Sequence, residues 1–180
     1  IQLPPRTKDS EPLRSLRATQ AKLTISGKTI IPAFDLSIER GEHIALVGQS
    51  GSGKSMLLAL FGRLLAPTGG KILVNGNADA NCDVAWLGQK PAFLQGSLSS
   101  NISLYRSQPV HEELVSAIRL ANAEGVVAKF GRGYHEIVRE NAANVSGGEA
   151  QRLAIARLAL SRAGLILADE PTEHLDDETA

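Results

Sequence analysis

Alternating apolar and polar residues near the start of the chain predict an antiparallel pair of strands. Residues 16–25 and 30–38 alternate loosely, and Ser26-Gly27 between them is typical of a tight turn. A short apolar run at 43–47 ends at Gly48, which predicts a buried strand. Further apolar runs predict strands at 71–74, 84–87 and 165–168.

Apolar residues that recur at helical spacing predict three helical regions. One runs from Lys54 to Leu65, a second fills 111–129, and a third runs from about 148 to 162. Strands that alternate with helices imply an α/β fold with a mainly parallel core sheet. The antiparallel β segment at the start and the helical insert in the middle are additions to that core.

The chain is expected to consist of an arm and one domain. Residues 1–15, with three prolines among charges, predict a linker or arm. The remaining residues, 16–180, are enough for one ordinary domain. The pattern breaks off in what is predicted as the next helix, so we expect the C-terminal part of the domain to be missing from this sequence.

Composition narrows the class of protein. Hydrophobic residues make up 43% and charged residues 21%, as in an ordinary globular domain. Lys+Arg and Asp+Glu are both 19, and this balance removes the usual argument for a nucleic-acid partner. Cys82 is the single cysteine, so neither an intrachain disulfide nor a cysteine-based zinc site can form. No apolar run approaches the roughly 18 residues of a membrane span.

A glycine-rich segment carries the strongest chemical signal in the chain. It matches the P-loop pattern G-x-x-x-x-G-K-[ST] and consists of Gly48, Gln49, Ser50, Gly51, Ser52, Gly53, Lys54 and Ser55. Backbone N–H groups of such a loop turn inward around an anion, and the following helix N-terminus adds partial positive charge. Lys54 is expected to reach the β- and γ-phosphates, and the Ser55 hydroxyl to bind Mg²⁺. The alternative is an ordinary glycine-rich turn, which the predicted strand before it and helix after it disfavour.

Two acidic residues follow the last predicted strand. Ligands bind at the carboxyl ends of strands in α/β sheets, and Asp169-Glu170 stand at that end of 165–168. Asp169 is expected to hold Mg²⁺, directly or through water, and Glu170 to polarise the attacking water. The alternative is a pair of acids that only caps a helix after a core strand.

The sequence Ser-Gly-Gly-Glu precedes the third helical region. Ser146 and Glu149 have the spacing of a capping box, in which each side chain satisfies a backbone N–H at the helix start. A helix start with two glycines, Gly147 and Gly148, also exposes N–H groups to an anion. Both roles are compatible.

These three segments, in this order, resemble the nucleotide-binding domain of ABC transporters. The resemblance covers about 16–180, and its most specific part is Ser146–Glu149, the signature segment, followed by Ala-Gln-Arg. It implies that Ser146, Gly147 and Gly148 grip the γ-phosphate of ATP held in the P-loop of a second domain. It further implies that Gln89 is the Q-loop glutamine, which serves catalysis, senses Mg²⁺ and contacts the transmembrane partner. Leu175-Asp176 resembles the D-loop of the dimer interface.

Further segments of the sequence resemble the nucleotide-binding domains of ABC exporters. Residues 89–101 (QKPAFLQGSLSSN) are similar to the exporter Q-loop region, and 133–148 (GYHEIVRENAANVSGG) to the exporter X-loop and signature, with Glu140 as the X-loop acid. Residues 149–152 and 170–176 further resemble the CydD/CydC heterodimeric exporters, which move thiols such as cysteine or glutathione for cytochrome bd assembly. Phe93, Leu94 and Tyr105 are either core residues or the lining of a groove for the membrane domain.

The chain departs from the family pattern at several positions. Ile25 stands where the family usually stacks an aromatic ring on adenine. Arg139 and Ala142 replace X-loop glycines, and Glu149 replaces the usual signature glutamine, which adds negative charge near phosphate unless its side chain turns back into the cap. The switch histidine that contacts the γ-phosphate is absent from this sequence.

The resemblance implies an ATPase that powers export, with ATP and Mg²⁺ as cofactors. Its partners would be a second nucleotide-binding domain, identical or paralogous, and a transmembrane domain that contacts the Q-loop and X-loop surface. That places it at the cytoplasmic face of a bacterial inner membrane, and we expect the isolated chain to be weak or inactive. The alternative is a soluble ABC ATPase of the DNA-repair, chromosome-clamp or translation-factor type. The short, heptad-free stretch between Lys54 and Ser146 and the zero net charge disfavour it.

Overall fold

The computed structural model of the chain describes residues 12–104 and 110–172. These residues divide into two compact units, one formed by 12–86 with 163–169 and the other by 87–104, 110–162 and 170–172. The strands in the described residues are β1 (Ser15–Ile25), β2 (Lys28–Glu39), β3 (Gly69–Val74), β4 (Val84–Leu87), β5 (Gly96–Ser97), β6 (Ile137–Val138) and β7 (Leu165–Ala168). The α-helices there are α1 (Lys54–Phe61), α2 (Leu98–Ile102), α3 (His111–Leu120), α4 (Glu124–Ala128) and α5 (Gly147–Leu160).

The first unit contains an antiparallel sheet of order β2-β1-β3. β1 and β2 form a hairpin in which Ile25 pairs with Lys28. The two residues between them, Ser26 and Gly27, both have left-handed backbones, with φ of 49° and 78°. Such a turn matches the right-handed twist of the flanking strands. The predicted antiparallel pair and its turn are therefore confirmed.

The core of the first unit lies between this sheet and α1. Every inward-facing position of β1 is apolar; the buried residues of this strand are Leu16, Ala18, Ala21 and Leu23. Phe61 of α1 meets Phe34 of β2 edge to face, with ring centroids 6.2 Å apart. Burying one such large side chain contributes about 1.5–3 kcal/mol, so this contact fixes α1 on the sheet.

The prediction of a buried strand at 43–47 is wrong. The structure gives this segment no strand, and Val47 is 91% exposed. A strand needs a neighbour that pairs with its backbone N–H and C=O groups. Within the described residues β7 pairs with β4, and no strand flanks 43–47. The larger parallel sheet expected around this strand is likewise not formed by the residues that the structure describes.

Helix boundaries differ from the predictions where the backbone turns left-handed. α1 ends at Phe61 rather than Leu65, because Gly62 caps it and Arg63 has a φ of 56°. The helical region predicted at 111–129 consists of two helices, α3 and α4, separated by a turn at Asn122 with a φ of 50°. A left-handed residue cannot continue the i to i−4 hydrogen bonds of an α-helix.

The second unit is built around α5. Leu153, Ala154 and Ala156 of α5 are buried, and α5 packs against α3. α3 contributes the buried residues Leu114 and Ile118. None of the helices in 12–104 and 110–172 has the length and apolar character needed to cross a membrane.

Candidate nucleotide-binding site

The P-loop leads into α1 through two left-handed glycines. Gly51 has a φ of 78°, and Gly53, the N-cap of α1, has a φ of 96°. Within the described part of the chain no side chain caps the first turn of α1. The first N–H groups of an α-helix have no partner inside the helix. They are therefore available to an anion such as a phosphate.

The left-handed backbone of Gly53 favours glycine at this point of the loop. A Cβ on Gly53 would lie 3.5 Å from Ile30 Cγ2 of β2, which is an ordinary packing distance. A Cβ on Gly48 would lie 3.0 Å from Ser52 Oγ, so the Ser52 hydroxyl would have to move. The loop therefore lies against the hairpin at Gly53.

Lys54 folds back over the loop. Its Nζ donates to the carbonyl oxygens of Gly48 at 2.9 Å and Gln49 at 3.0 Å. An ammonium so held is a compact positive charge with three donors, and a phosphate oxygen can replace one carbonyl as acceptor. Ser55, the next residue, is exposed, so its hydroxyl is open to a ligand.

Ile25, which the sequence predicts to contact adenine, lies at the end of β1 beside the hairpin turn. Its side chain is 41% exposed. The hairpin contacts the P-loop through Ile30 and Gly53, so Ile25 and the loop belong to one unit. Ile25 therefore offers a half-exposed apolar surface and no aromatic ring.

The two acids after β7 have opposite environments. Asp169 is buried and belongs to the same unit as the P-loop. Glu170 is exposed, belongs to the second unit and has a left-handed backbone with a φ of 52°. Such a backbone in a non-glycine residue costs about 1–3 kcal/mol and is concentrated at functional sites. The oxygen ligands of Asp169 and Ser55, both in the first unit, have the chemistry that Mg²⁺ prefers.

Gln89 is exposed two residues after β4, and the segment that follows it is firmly anchored. Asn101, which is buried, accepts from Leu94 N at 3.0 Å and donates to Leu94 O at 2.9 Å and Ser97 O at 3.2 Å. This gives the G-x-x-x-x-N spacing of 96–101 a structural role. Phe93 is in the core, whereas Leu94 is 63% exposed.

Arg157 was not identified from the sequence. Its Nε donates to Asn101 O and its Nη1 to Ala92 O, both at 3.1 Å. Burial lowers the pKa of Arg157 to about 10. The sequence did contain one sign of this role. Arg157 lies one turn after Leu153, on the buried side of α5, where an arginine needs a partner for its charge.

The predicted capping box at the signature segment is confirmed. Ser146 Oγ accepts from Glu149 N at 3.3 Å, and Ser146 N donates to Glu149 Oε2 at 2.8 Å. The Glu149 side chain thus turns back into the cap. Gly147 and Gly148 form the first turn of α5 behind it.

Lys129 is a second residue that the sequence did not reveal. Its Nζ donates to Glu149 Oε1 and forms an ion pair with that carboxylate. The hydrogen bond from Lys129, and after it the N–H of Ser146, lower the pKa of Glu149. The negative charge that Glu149 brings to the signature segment is therefore balanced within the chain.

The X-loop positions singled out from the sequence, Arg139, Glu140 and Ala142, differ in burial. Glu140 begins the short 3₁₀ helix Glu140–Ala142 and is exposed, as is Arg139. Ala142 is buried with a φ of 56°, so the structure has a left-handed backbone where the resembling family has glycine. Leu175-Asp176 and Tyr105 lie outside the described residues.

Comparison with known proteins agrees with this geometry. The family model described as "ABC transporter" matches residues 32–173. The α-hemolysin translocation ATP-binding protein HlyB of Escherichia coli is 38% identical over 157 residues, 83% of this chain and 22% of the relative. The ATP-dependent lipid A-core flippase of Chromobacterium violaceum is 36% identical over 156 residues, 83% of this chain and 27% of the relative. The chain thus spans about a quarter of these relatives.

A solved structure is also similar. It is that of a bacterial Atm1-family ABC exporter with ATP bound, with a TM-score of 0.84 and 26% identity over 99% of this chain and 33% of that one. The α/β P-loop fold class predicted from the sequence is therefore confirmed. The chain belongs to the ABC transporter family and is an ATPase domain of exporter type.

Proposed function

We propose that this chain binds MgATP at 48–55 and hydrolyses it to drive export across a membrane. The observation that carries the proposal is the uncapped start of α1 beneath the Lys54 ammonium, within the described part of a chain of the ABC transporter family. Backbone donors and an ammonium around one small volume bind a polyphosphate and little else.

In the proposed site each residue has one task. Lys54 exchanges the carbonyls of Gly48 and Gln49 for β- and γ-phosphate oxygens. Ser55, Asp169 and Gln89 supply oxygen ligands for Mg²⁺, which neutralises charge on the phosphates when bound. Glu170 orients and polarises the attacking water.

A second domain completes the site. The signature segment of one domain, Ser146–Glu149, grips the γ-phosphate in the P-loop of the other. The confirmed capping box supports this role, since it keeps the first turn of α5 in one local conformation and keeps the Glu149 carboxylate in the cap. The partner domain is a second copy or a paralogue.

The proposed contact with a transmembrane domain runs over the Q-loop and X-loop surface. Leu94 and Glu140 are exposed there, and Asn101 holds the backbone beside Leu94 in place. A fixed surface can pass a domain movement on to a membrane partner. We therefore propose that the chain works at the cytoplasmic face of a bacterial inner membrane.

The cargo we propose is a thiol such as cysteine or glutathione. Its support is the resemblance of residues 149–152 and 170–176 to the CydD/CydC exporters. The names of the two relatives above mention other cargoes, α-hemolysin and lipid A core. The soluble alternatives, a DNA-repair, chromosome-clamp or translation ATPase, find no support in these relatives.

Calorimetric titration with MgATP tests the nucleotide site. Lys54→Ala should weaken binding at least about tenfold, because no neutral side chain replaces an ammonium at the phosphates. Lys71→Ala, which removes an exposed lysine from β3, serves as the matched control and should bind as the unaltered chain does. Equal affinity of Lys54→Ala and Lys71→Ala would place the phosphate site elsewhere.

A further inference from the structure

Gln151 is a fully buried amide in α5, with an exposed fraction of 0%. Its Nε2 donates to the carbonyl oxygen of Pro171 at 2.9 Å. Among the described residues no group donates to its Oε1. Burying an amide whose oxygen accepts no hydrogen bond is costly, and an apolar side chain of the same size would be more stable there. Packing alone therefore does not explain a glutamine at this position.

The two ends of this hydrogen bond lead to two functional elements. Pro171 directly follows Glu170, whose backbone is left-handed. The proline ring fixes φ but leaves no N–H group that could hold the backbone at this residue. The hydrogen bond that the Pro171 carbonyl accepts from Gln151 therefore helps to fix this turn. At the other end, Gln151 lies five residues after Ser146, within the helix that the capping box anchors. Less than two turns of helix thus separate Gln151 from the signature segment.

We propose that Gln151 is a positioning residue that couples the signature segment to Glu170 within one chain. The inference rests on the proposed function, in which Glu170 acts on ATP at its own P-loop and the signature segment grips ATP at the partner's P-loop. A shift of the start of α5 on gripping that second ATP is passed through Gln151 to Pro171 and to Glu170. Each domain thereby adjusts the geometry of its own water-activating carboxylate to the occupancy of the other site.

This role differs measurably from a structural one. A structural role alone predicts a change in unfolding midpoint with unaltered turnover of the folded protein. Coupling predicts a lower kcat and weaker cooperativity between the two ATP sites, with little change in KM, because Gln151 touches neither nucleotide.

The test uses the full-length protein that contains these residues, together with its natural partners. Gln151→Met keeps the volume of the side chain and removes the donor to Pro171. Leu153→Met, at another fully buried position of α5, is the matched control. We expect kcat of Gln151→Met to fall about tenfold to a hundredfold, as for a displaced catalytic group. Its Hill coefficient for ATP should fall towards one, while Leu153→Met retains both values.

A second variant guards against loss of folding. Gln151→Leu removes the donor to the Pro171 carbonyl with a different apolar side chain of similar size, so it should show the same loss of kcat and cooperativity. If both Gln151 variants have the kcat and Hill coefficient of Leu153→Met, the coupling role is overturned while the proposed function stands. An unaltered protein that neither binds nor hydrolyses ATP would instead overturn the proposed function itself.

Discussion

Arg157 lays its guanidinium over the ring of Phe93, with the guanidinium carbon 4.7 Å from the ring centroid. The same guanidinium donates to the carbonyls of Ala92 and Asn101. α5, which begins at the signature segment, is therefore tied to the segment that follows Gln89. A planar cation with several donors suits this position, because it can stack on a ring and reach two carbonyls at once.

Replacing this arginine should destabilise the second unit. Arg157→Met loses two charge-assisted hydrogen bonds and the contact with Phe93, at a cost of about 2–4 kcal/mol in the free energy of unfolding. The matched control is Arg162→Met. Arg162 forms an exposed ion pair with Glu113 at 2.6 Å, and such pairs contribute less than about 1 kcal/mol. Urea unfolding of both variants measures the difference, and equal losses would contradict the anchoring role of Arg157.

Stability should depend on pH through Glu149. Lys129 and the Ser146 N–H lower the pKa of Glu149 in the folded chain, so the folded state favours the carboxylate more than the unfolded state does. This contribution is fully present above the unfolded pKa, at about 4.3, and is lost as pH falls through the lower folded pKa. The loss of stability on acidification below about pH 5 should therefore be smaller in Glu149→Gln.

Lys129 provides a check on the cause of that pH dependence. Because the hydrogen bond from Lys129 is the largest cause of the lowered pKa of Glu149, Lys129→Met should remove most of the same pH-dependent component. Unfolding curves at pH 7 and pH 4 compare the variants. If Lys129→Met retains the full acid sensitivity of the unaltered chain, the capping box rather than the ion pair controls this carboxyl.

These side chains illustrate which features the sequence could predict. The capping box at Ser146 and Glu149 and the P-loop depend on contacts within a few residues, so spacing alone indicates them. The strand expected at 43–47 failed because a strand depends on partners that apolar composition does not identify. Lys129 lies 20 positions from Glu149, and Arg157 lies 65 from Ala92. Only the folded chain brings such pairs together.

Base selectivity should be poor. Ile25 offers apolar contact but no ring, and stacking of a base on an aromatic side chain is worth about 1–3 kcal/mol. We therefore expect GTP to bind within about tenfold of ATP, a difference of 1.4 kcal/mol or less. Ile25→Tyr should raise the affinity for ATP severalfold, since the half-exposed position at the hairpin end has room for a ring. A hundredfold preference of the unaltered chain for ATP would mean that another residue supplies the stacking.

The isolated chain should bind ATP as a monomer and hydrolyse it slowly or not at all. In the proposed site Glu170 polarises the water, but the signature segment that grips the γ-phosphate comes from a second domain. Removing preorganised groups around a developing phosphoryl charge lowers rates by orders of magnitude. Any residual rate per molecule should therefore rise with protein concentration, as two chains meet more often.

Replacing Glu170 should separate ATP binding from ATP hydrolysis. With the natural partner and membrane domain present, turnover should be restored, and Glu170→Gln should then abolish it while ATP holds the two domains together. Phosphate release measures turnover, and sedimentation measures whether ATP holds the two domains together. Both are measured on the chain alone and on the assembled protein. Brisk turnover of the chain alone, at a rate per molecule independent of concentration, would show that one chain carries a complete site.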